Sequence, residues 1–272
     1  MGGGTGARQG VLAGLRVVDF SSGIAGPISG MLLADHGAEV LKIEPPGGDP
    51  FRSLPGSSAW LRGRRSAVLD LNDSGDRAVA LRHVRVADAV IASYSPRVAA
   101  KLGVDAETLT ALNPRLVYCS ITGYGDHAGH RDRPAYDALV AARLGVQWEQ
   151  RGWLGGPIGH RHDDDVFLED LEIPEGIEPG SPREGPIFSY SPWPSLATAF
   201  LASVGINAAL VARESTGRGQ VVATSMLQAV MALTTTKLQR VERSDEPRFR
   251  SWIYDRRSPK GFFKCADGRW IE

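Results

Sequence analysis

Short apolar runs and helical stripes alternate along most of the chain. Leu15 to Phe20 is apolar and rich in β-branched residues, and it stops at Ser21-Ser22-Gly23, which predicts a buried strand. From Pro27 to His36 the apolar positions Ile28, Met31, Leu32 and Leu33 recur at helical spacing. Pro27 suits a first turn and Gly37 the left-handed residue after a last one. Ala38 to Glu44 is a second apolar strand, ended by Pro45-Pro46-Gly47-Gly48. Strand, helix and strand in this order form a crossover unit of nearly fixed hand, the start of a parallel sheet.

The same alternation continues downstream. Ser66 to Leu71 reads as a strand, and Asp73-Ser74 can cap a helix running to about Arg85. Ala87 to Tyr94 is a strand, Pro96 to Leu102 and Asp105 to Leu112 are short helices, and Leu116 to Thr122 is a strand closed by Gly123-Tyr124-Gly125. Tyr136 to Gln150 is expected to be helical. Residues 151–190 show no period and are too long for an ordinary connection, which suggests an insertion or lid. Pro194 to Ser215 predicts a long Ala-rich helix, Gln220 to Thr224 a strand and Met226 to about Arg243 a further helix, with Met226, Leu227, Val230 and Leu233 as its core face. Residues 251–272 read as an extended crossing and a hairpin just begun, so a chain stopping in mid-pattern is expected.

This pattern predicts an α/β fold, a Rossmann-like parallel sheet with flanking helices, followed by the beginning of a second, smaller domain. The expected organisation is a disordered tail over 1–9, a large domain over 10–226, a connecting helix over 227–250 and the start of the small domain over 251–272. In the tail, Gly4-Thr5-Gly6 precedes every strand, so it lacks the context of a dinucleotide-binding loop. In such folds ligands sit outside the carboxyl ends of the strands, and chemistry is sought there.

Composition narrows the partners. A chain of 272 residues that is 42% hydrophobic can bury a full core. Its 31 basic and 31 acidic side chains cancel, which gives no reason to expect nucleic acid or an anionic membrane. Cys119 and Cys265 are the only cysteines, a usage that fits a reducing compartment. No uninterrupted apolar run approaches about 18 residues, and the first residues lack the apolar core of a signal peptide, so a cytoplasmic location is expected.

Several residues are candidates for chemistry. Arg62, Arg64, Arg65, Lys42, Arg52 and Lys101 lie at or near predicted strand ends and could converge on phosphate oxygens, or be ordinary solvated charge. The run from His160 to Asp165 contains metal-ligand types without a ligand spacing, so a solvated charge run is the better reading and no metal site is expected. No Gly-x-Ser-x-Gly elbow and no phosphate-binding Gly-x-x-x-x-Gly-Lys-Ser/Thr loop is present. Asp137, at a predicted helix start, is either a carboxylate held by backbone donors or a favourable first-turn acid.

An ordered set of short motifs then carries a resemblance. LAGLRVVD at 12–19, AGP at 25–27, LADHGAEVLKIE at 33–44, GD at 48–49 and RGRRS at 62–66 are followed by AD at 87–88, NPRLVY at 113–118, GYG at 123–125, RPAYD at 133–137 and TGRGQ at 216–220. Together they resemble the family III CoA-transferases (the CaiB/BaiF type), a group that includes formyl-CoA transferase, carnitine CoA-transferases and α-methylacyl-CoA racemase. The resemblance implies a large domain that binds coenzyme A, a smaller domain after it, a return to the large domain, and two chains interlocked as linked rings. Members are longer than this chain, so the resemblance covers the front part of the fold, with the rest expected from missing sequence or another chain.

It also implies a reaction, the transfer of CoA between an acyl-CoA and a carboxylic acid through an aspartate that forms a mixed anhydride and then a thioester. Counting back from Gly205-Ile206 places that aspartate's position on Ser195, in Ser191-Pro-Trp-Pro-Ser-Leu-Ala-Thr198, where no acidic residue stands. A serine hydroxyl without a base cannot replace a carboxylate, so the aspartate is expected from another domain or chain. The implied CoA contacts are Ala25, Leu69, Ser93 with Tyr94, and Lys101 beside Leu102, together with Arg64 and Arg65 from the basic cluster. Asp137 matches an acidic position near the active site. A non-catalytic acyl-CoA-binding subunit and a racemase acting on 2-methylacyl-CoA are the alternatives.

Overall fold

The computed structural model describes residues 10–126, 129–131, 133–149 and 191–234, together with the strand residues 263–264 and 270–271. The expected tail, the segment 151–190 with its histidine-aspartate run, and the helix beyond residue 234 lie outside the described residues. The chain divides into two units, residues 1–144 with 191–234, and residues 145–190 with 235–272.

In the first unit the elements are β1 (Arg16–Asp19), α1 (Ala25–Asp35), β2 (Glu39–Glu44), a short 3-10 helix (Pro50–Ser53), α2 (Ser57–Trp60), β3 (Arg65–Val68), α3 (Ser74–Arg85), β4 (Ala89–Ala92), α4 (Pro96–Leu102), α5 (Ala106–Leu112), β5 (Val117–Thr122) and α6 (Asp137–Arg143). In the second unit are α7 (Val146–Glu149) and, later in the chain, an antiparallel pair, β7 (Phe263–Lys264) with β8 (Trp270–Ile271), in which Lys264 faces Trp270. The first unit is completed by α8 (Trp193–Thr216), β6 (Val221–Ser225) and α9 (Met226–Leu233). One helix was expected over Tyr136 to Gln150; instead it is broken after Arg143. Gly145 has φ 73°, a left-handed conformation no helix interior accepts.

All six main strands are parallel, in the order β3-β2-β1-β4-β5-β6. The chain winds outward from β1 in one direction, then returns past it through α3 to β4 and continues the other way. The point where the order reverses lies between β1 and β4, and in open α/β sheets ligands bind at the carboxyl ends of the strands beside such a point.

Both faces of the sheet are covered, which is why β4 is apolar and buried at every position rather than at alternate ones. Val17, Ala89, Ile91, Val117, Cys119 and Ile121 point to one face and pack with Ala25 and Leu33 of α1 and Ala202, Ile206 and Leu210 of α8. Their neighbours Val18, Phe20, Val90, Ala92, Leu116 and Tyr118 point to the other, against Ala80 and Val84 of α3 and Leu109 of α5. Cys119 is fully buried, and burial pushes its thiol up to about 12, so it is a core residue without thiolate character. The α8 helix is long and apolar enough by composition to cross a membrane. Here it is a core helix: Ser195, Thr198, Ala199, Ala202, Ile206, Ala209, Leu210 and Arg213 form a buried stripe at helical spacing.

Candidate active site

Two helix starts meet on one face at the carboxyl edge of the sheet. The first, α1, leaves β1 through Ser21 to Ile24, and α8 comes down the same face to lead into β6, so both begin at that edge. One turn below their starts they touch. Ser29 Oγ donates to Ala199 O at 3.2 Å and to Ala25 O at 3.0 Å, tying the two backbones together. Neither helix is capped by the side chain of its own N-cap residue, Ile24 for α1 and Pro192 for α8, so the first-turn N–H donors take their partners from elsewhere.

At the start of α8 those donors are met from another element. Asp137, first residue of α6, accepts the Ser195 backbone N–H through Oδ1 at 2.7 Å and the Ser195 hydroxyl through Oδ2 at 2.8 Å. Ser195 is only 4% exposed, whereas Asp137 is half-buried. The resemblance implies one region for Ser195 and Asp137; only the fold makes them a pair, 58 positions apart in sequence. Asp137 does the work of an absent N-cap for α8 and is at the same time an acid in the first turn of α6, so its place fits both readings open to it.

The loop entering α1 rests on a buried ionic cluster that sequence reasoning missed. Asp19, at the end of β1 and wholly buried, accepts from Arg64 Nη1 at 2.7 Å, from Ser21 N at 2.8 Å and from Ser21 Oγ. The Arg64 guanidinium also donates to Pro27 O and, at 2.7 Å, to Trp60 O, so it fastens β1, α1 and α2 to one another. Lys42 is 1% exposed; its Nζ donates to Ser21 O at 2.5 Å and lies 3.0 Å from Asp49 Oδ2. Glu44 takes Arg52 in a fork and accepts Asp49 N at 2.9 Å. Burial works against the Glu44 charge, but Arg52, the Asp49 N–H and Lys42 outweigh it and hold the carboxyl below its ordinary value. Burial lowers the Arg64 guanidinium against the opposing pull of Asp19, Asp49 and Glu44.

The six cations considered for phosphate binding therefore divide. Arg64 and Lys42 are neither solvated nor turned outward; they are interior ions paired with carboxylates. Arg52 is half exposed over Glu44, and Arg62 pairs with Asp35 at 2.5 Å on the surface. Arg65 is 80% exposed, 3.6 Å from Glu39, on edge strand β3 beside an open recess of about 590 Å³ lined also by Ala38, Val40 and Gly63. That recess lies by the start of β2, away from the Ser195–Asp137 pair. Lys101 is exposed in the last turn of α4. The signal for the ionic cluster was present: Lys42 and Glu44 stand inside an otherwise apolar strand, where a charge is stable only if paired.

The remaining candidates gather on the other face. Leu69, Tyr94 and Leu102 pack against the same apolar cluster. Ser93 closes the switch point, its Oγ accepting Ser22 N at 2.9 Å across β1 and β4. Burial first, and then the negative charges of Asp19 and Asp49, push the Tyr94 hydroxyl above its ordinary value, so it is a neutral phenol at physiological pH. Ala25 thus belongs to the apolar cluster on the face covered by α1 and α8, and Leu69, Tyr94 and Leu102 to the one on the opposite face.

The model of CoA-transferase family III matches residues 12–272. The chain belongs to that family. Among its family III relatives, a succinyl-CoA:mesaconate CoA-transferase of Haloarcula hispanica is 34% identical over 281 residues, covering 97% of this chain and 64% of the relative. An acetyl-CoA:oxalate CoA-transferase of Acetobacter aceti is also 34% identical, over 82% of this chain and 53% of the relative. The crystal structure of a CaiB/BaiF family protein from Brucella suis superposes with a TM-score of 0.67 at 26% identity, over 93% of this chain and 60% of the other. The chain thus spans under two thirds of the length of these family III proteins. Among the described residues no group of three or more His, Cys, Asp or Glu side chains is arranged to hold a metal ion.

Proposed function

We infer that the protein containing this chain transfers CoA between an acyl-CoA and a carboxylic acid, with the acyl-CoA bound across the carboxyl edge of the sheet. The observation that carries this reading is the meeting of the starts of α1 and α8 at that edge, with Asp137 on the Ser195 N–H. The start of α1, which has no side-chain cap, favours a bound anion, and both substrates and products of the transfer are carboxylates or thioesters whose carbonyls gain negative charge as they react. The relatives' names include mesaconate and oxalate, which supports a small dicarboxylic acid as the acceptor class. The interlocked pairing of two chains implied by the resemblance remains part of this proposal.

The test uses protein isolated from its own cells, in whatever assembly it adopts. Succinyl-CoA is supplied with isotopically labelled mesaconate, oxalate or glutarate, and new CoA thioesters are read by mass spectrometry. Labelled acyl-CoA with release of succinate is the expected result. Failure of CoA to bind to the assembled protein would sink the reading.

A second reading, a non-catalytic acyl-CoA-binding subunit, is favoured by one observation: Ser195 stands where a nucleophilic aspartate is expected and is buried with its hydroxyl donated away. Tight CoA binding without any exchange is its expected outcome.

A further inference from the structure

We propose that Asp137 is the acyl acceptor of this chain, with Ser195 as the donor pair that holds and stabilises it; the proposal rests on the CoA-transfer reading above. The chemistry requires a carboxylate that is near the carboxyl edge and not neutralised. The buried carboxylates at the ends of β1 and β2 fail that requirement. Asp19 is locked by Arg64 and Ser21, Glu44 by Arg52, and Asp49 by Lys42, all nearly or wholly buried. Asp137 is half-buried and forms no salt bridge among the described residues; its partners are two neutral donors of a single serine. Each of its oxygens keeps a second lone pair, so the carboxylate remains able to attack.

The steps balance without any other reagent. An Asp137 oxygen attacks the acyl carbonyl of the acyl-CoA, the carbon–sulfur bond breaks, and CoA leaves as thiolate, giving a mixed anhydride. The thiolate then attacks the Asp137 carbonyl carbon, the anhydride carbon–oxygen bond breaks, and the first acid leaves as its carboxylate. The acceptor carboxylate attacks the resulting Asp137 thioester and expels the thiolate, which finally attacks the acceptor's acyl carbon and frees Asp137. No net proton moves.

Ser195 has a defined part in this sequence. When thiolate attacks the Asp137 carbonyl, negative charge builds on an Asp137 oxygen, and the Ser195 N–H already lies 2.7 Å from Oδ1 at the start of a 24-residue helix. That is the geometry of a preorganised oxyanion donor. The serine found at this position is then a supporting donor, which is consistent with its burial.

A structural role alone, that of a cap for α8, predicts something different, and one substitution separates the two. Asp137→Asn keeps an acceptor for the Ser195 N–H, and its amide donates to the serine hydroxyl, so the cap survives. The assembled wild-type protein is incubated with succinyl-CoA and quenched with hydroxylamine, and its peptides are analysed for a hydroxamate. Expected are a hydroxamate on Asp137, loss of acid exchange by about 10³-fold or more in Asp137→Asn with CoA affinity kept, and a smaller loss in Ser195→Ala, which removes the hydroxyl donor and keeps the N–H. Exchange undiminished in Asp137→Asn, or a hydroxamate on a different carboxylate, overturns the proposal while leaving CoA transfer standing. CoA binding with neither exchange nor hydroxamate overturns it in favour of the binding subunit, and absence of CoA binding removes the CoA-transfer reading itself. If Asp137→Asn fails to fold, the wild-type hydroxamate site decides alone.

Discussion

The charged residues of β2 show how a single side chain can shape the site from within. Lys42 and Glu44 alternate with Leu41 and Ile43, and both are nearly fully buried. Removing an ion from water costs several kcal/mol unless a partner and hydrogen bonds are supplied, and here Asp49, Ser21 O and Arg52 supply them. The Glu44 pair has a pH signature. Its carboxyl titrates lower in the folded protein than its ordinary value of 4.5, so below that value the unfolded chain binds more protons. The stability it contributes is full above about pH 4.5 and is lost as pH falls through the folded value. Denaturant titrations across an acid series should therefore show Glu44→Gln less stable than wild type at neutral pH, with the difference shrinking toward acid. A constant difference at every pH would refute the assignment. Sequence reasoning weighed these cations between phosphate contacts and solvated charge. Both readings missed the interior pairs because Asp19 and Arg64 are 45 residues apart and meet only once three elements pack.

Among the elements, α1 has to approach β1 closely for the edge loop to form. A methyl group at Gly26 would stand 2.2 Å from Ser21 Cβ, so the helix can pack there only without a side chain. Gly26→Ala should destabilise the fold by roughly 1–3 kcal/mol through overpacking, and should weaken CoA binding beyond that loss because the start of α1 is displaced. Equilibrium unfolding together with CoA titration checks both parts; an unperturbed midpoint would show that the loop yields freely. Helices with a readable start were legible, among them α3 with its Asp73 cap. The short elements at Pro50–Ser53 and Ser57–Trp60 were not, because four residues carry no readable period. The break at Gly145 was missed for a related reason: a lone glycine inside a helical pattern is usually tolerated, and only the tertiary course of the chain makes it a stop.

At the level of the molecule, a ligand that bridges the two faces across the strand ends should stabilise the fold by linkage. If CoA binds the native protein alone, its addition at 100 times its dissociation constant raises the unfolding free energy by about 2.7 kcal/mol, and the melting temperature continues to rise with the logarithm of concentration. A melting temperature insensitive to CoA over several decades would argue against that binding.

The alternating strand and helix patterns, the turn residues between them and the apolar stripes are local properties of the chain. They determined the α/β class, the strand and helix order of the large unit and the set of motifs that marks the family. Strand order, by contrast, depends on which side of β1 each crossover lands, and the helix starts meet only because α1 and α8 share a face. The partnership of Asp137 with Ser195, the capping of one helix by another's first residue, and the burial of Lys42 and Arg64 as paired ions were decided by tertiary structure. Each requires groups distant in sequence to be brought within hydrogen-bond reach, and no local pattern encodes that distance.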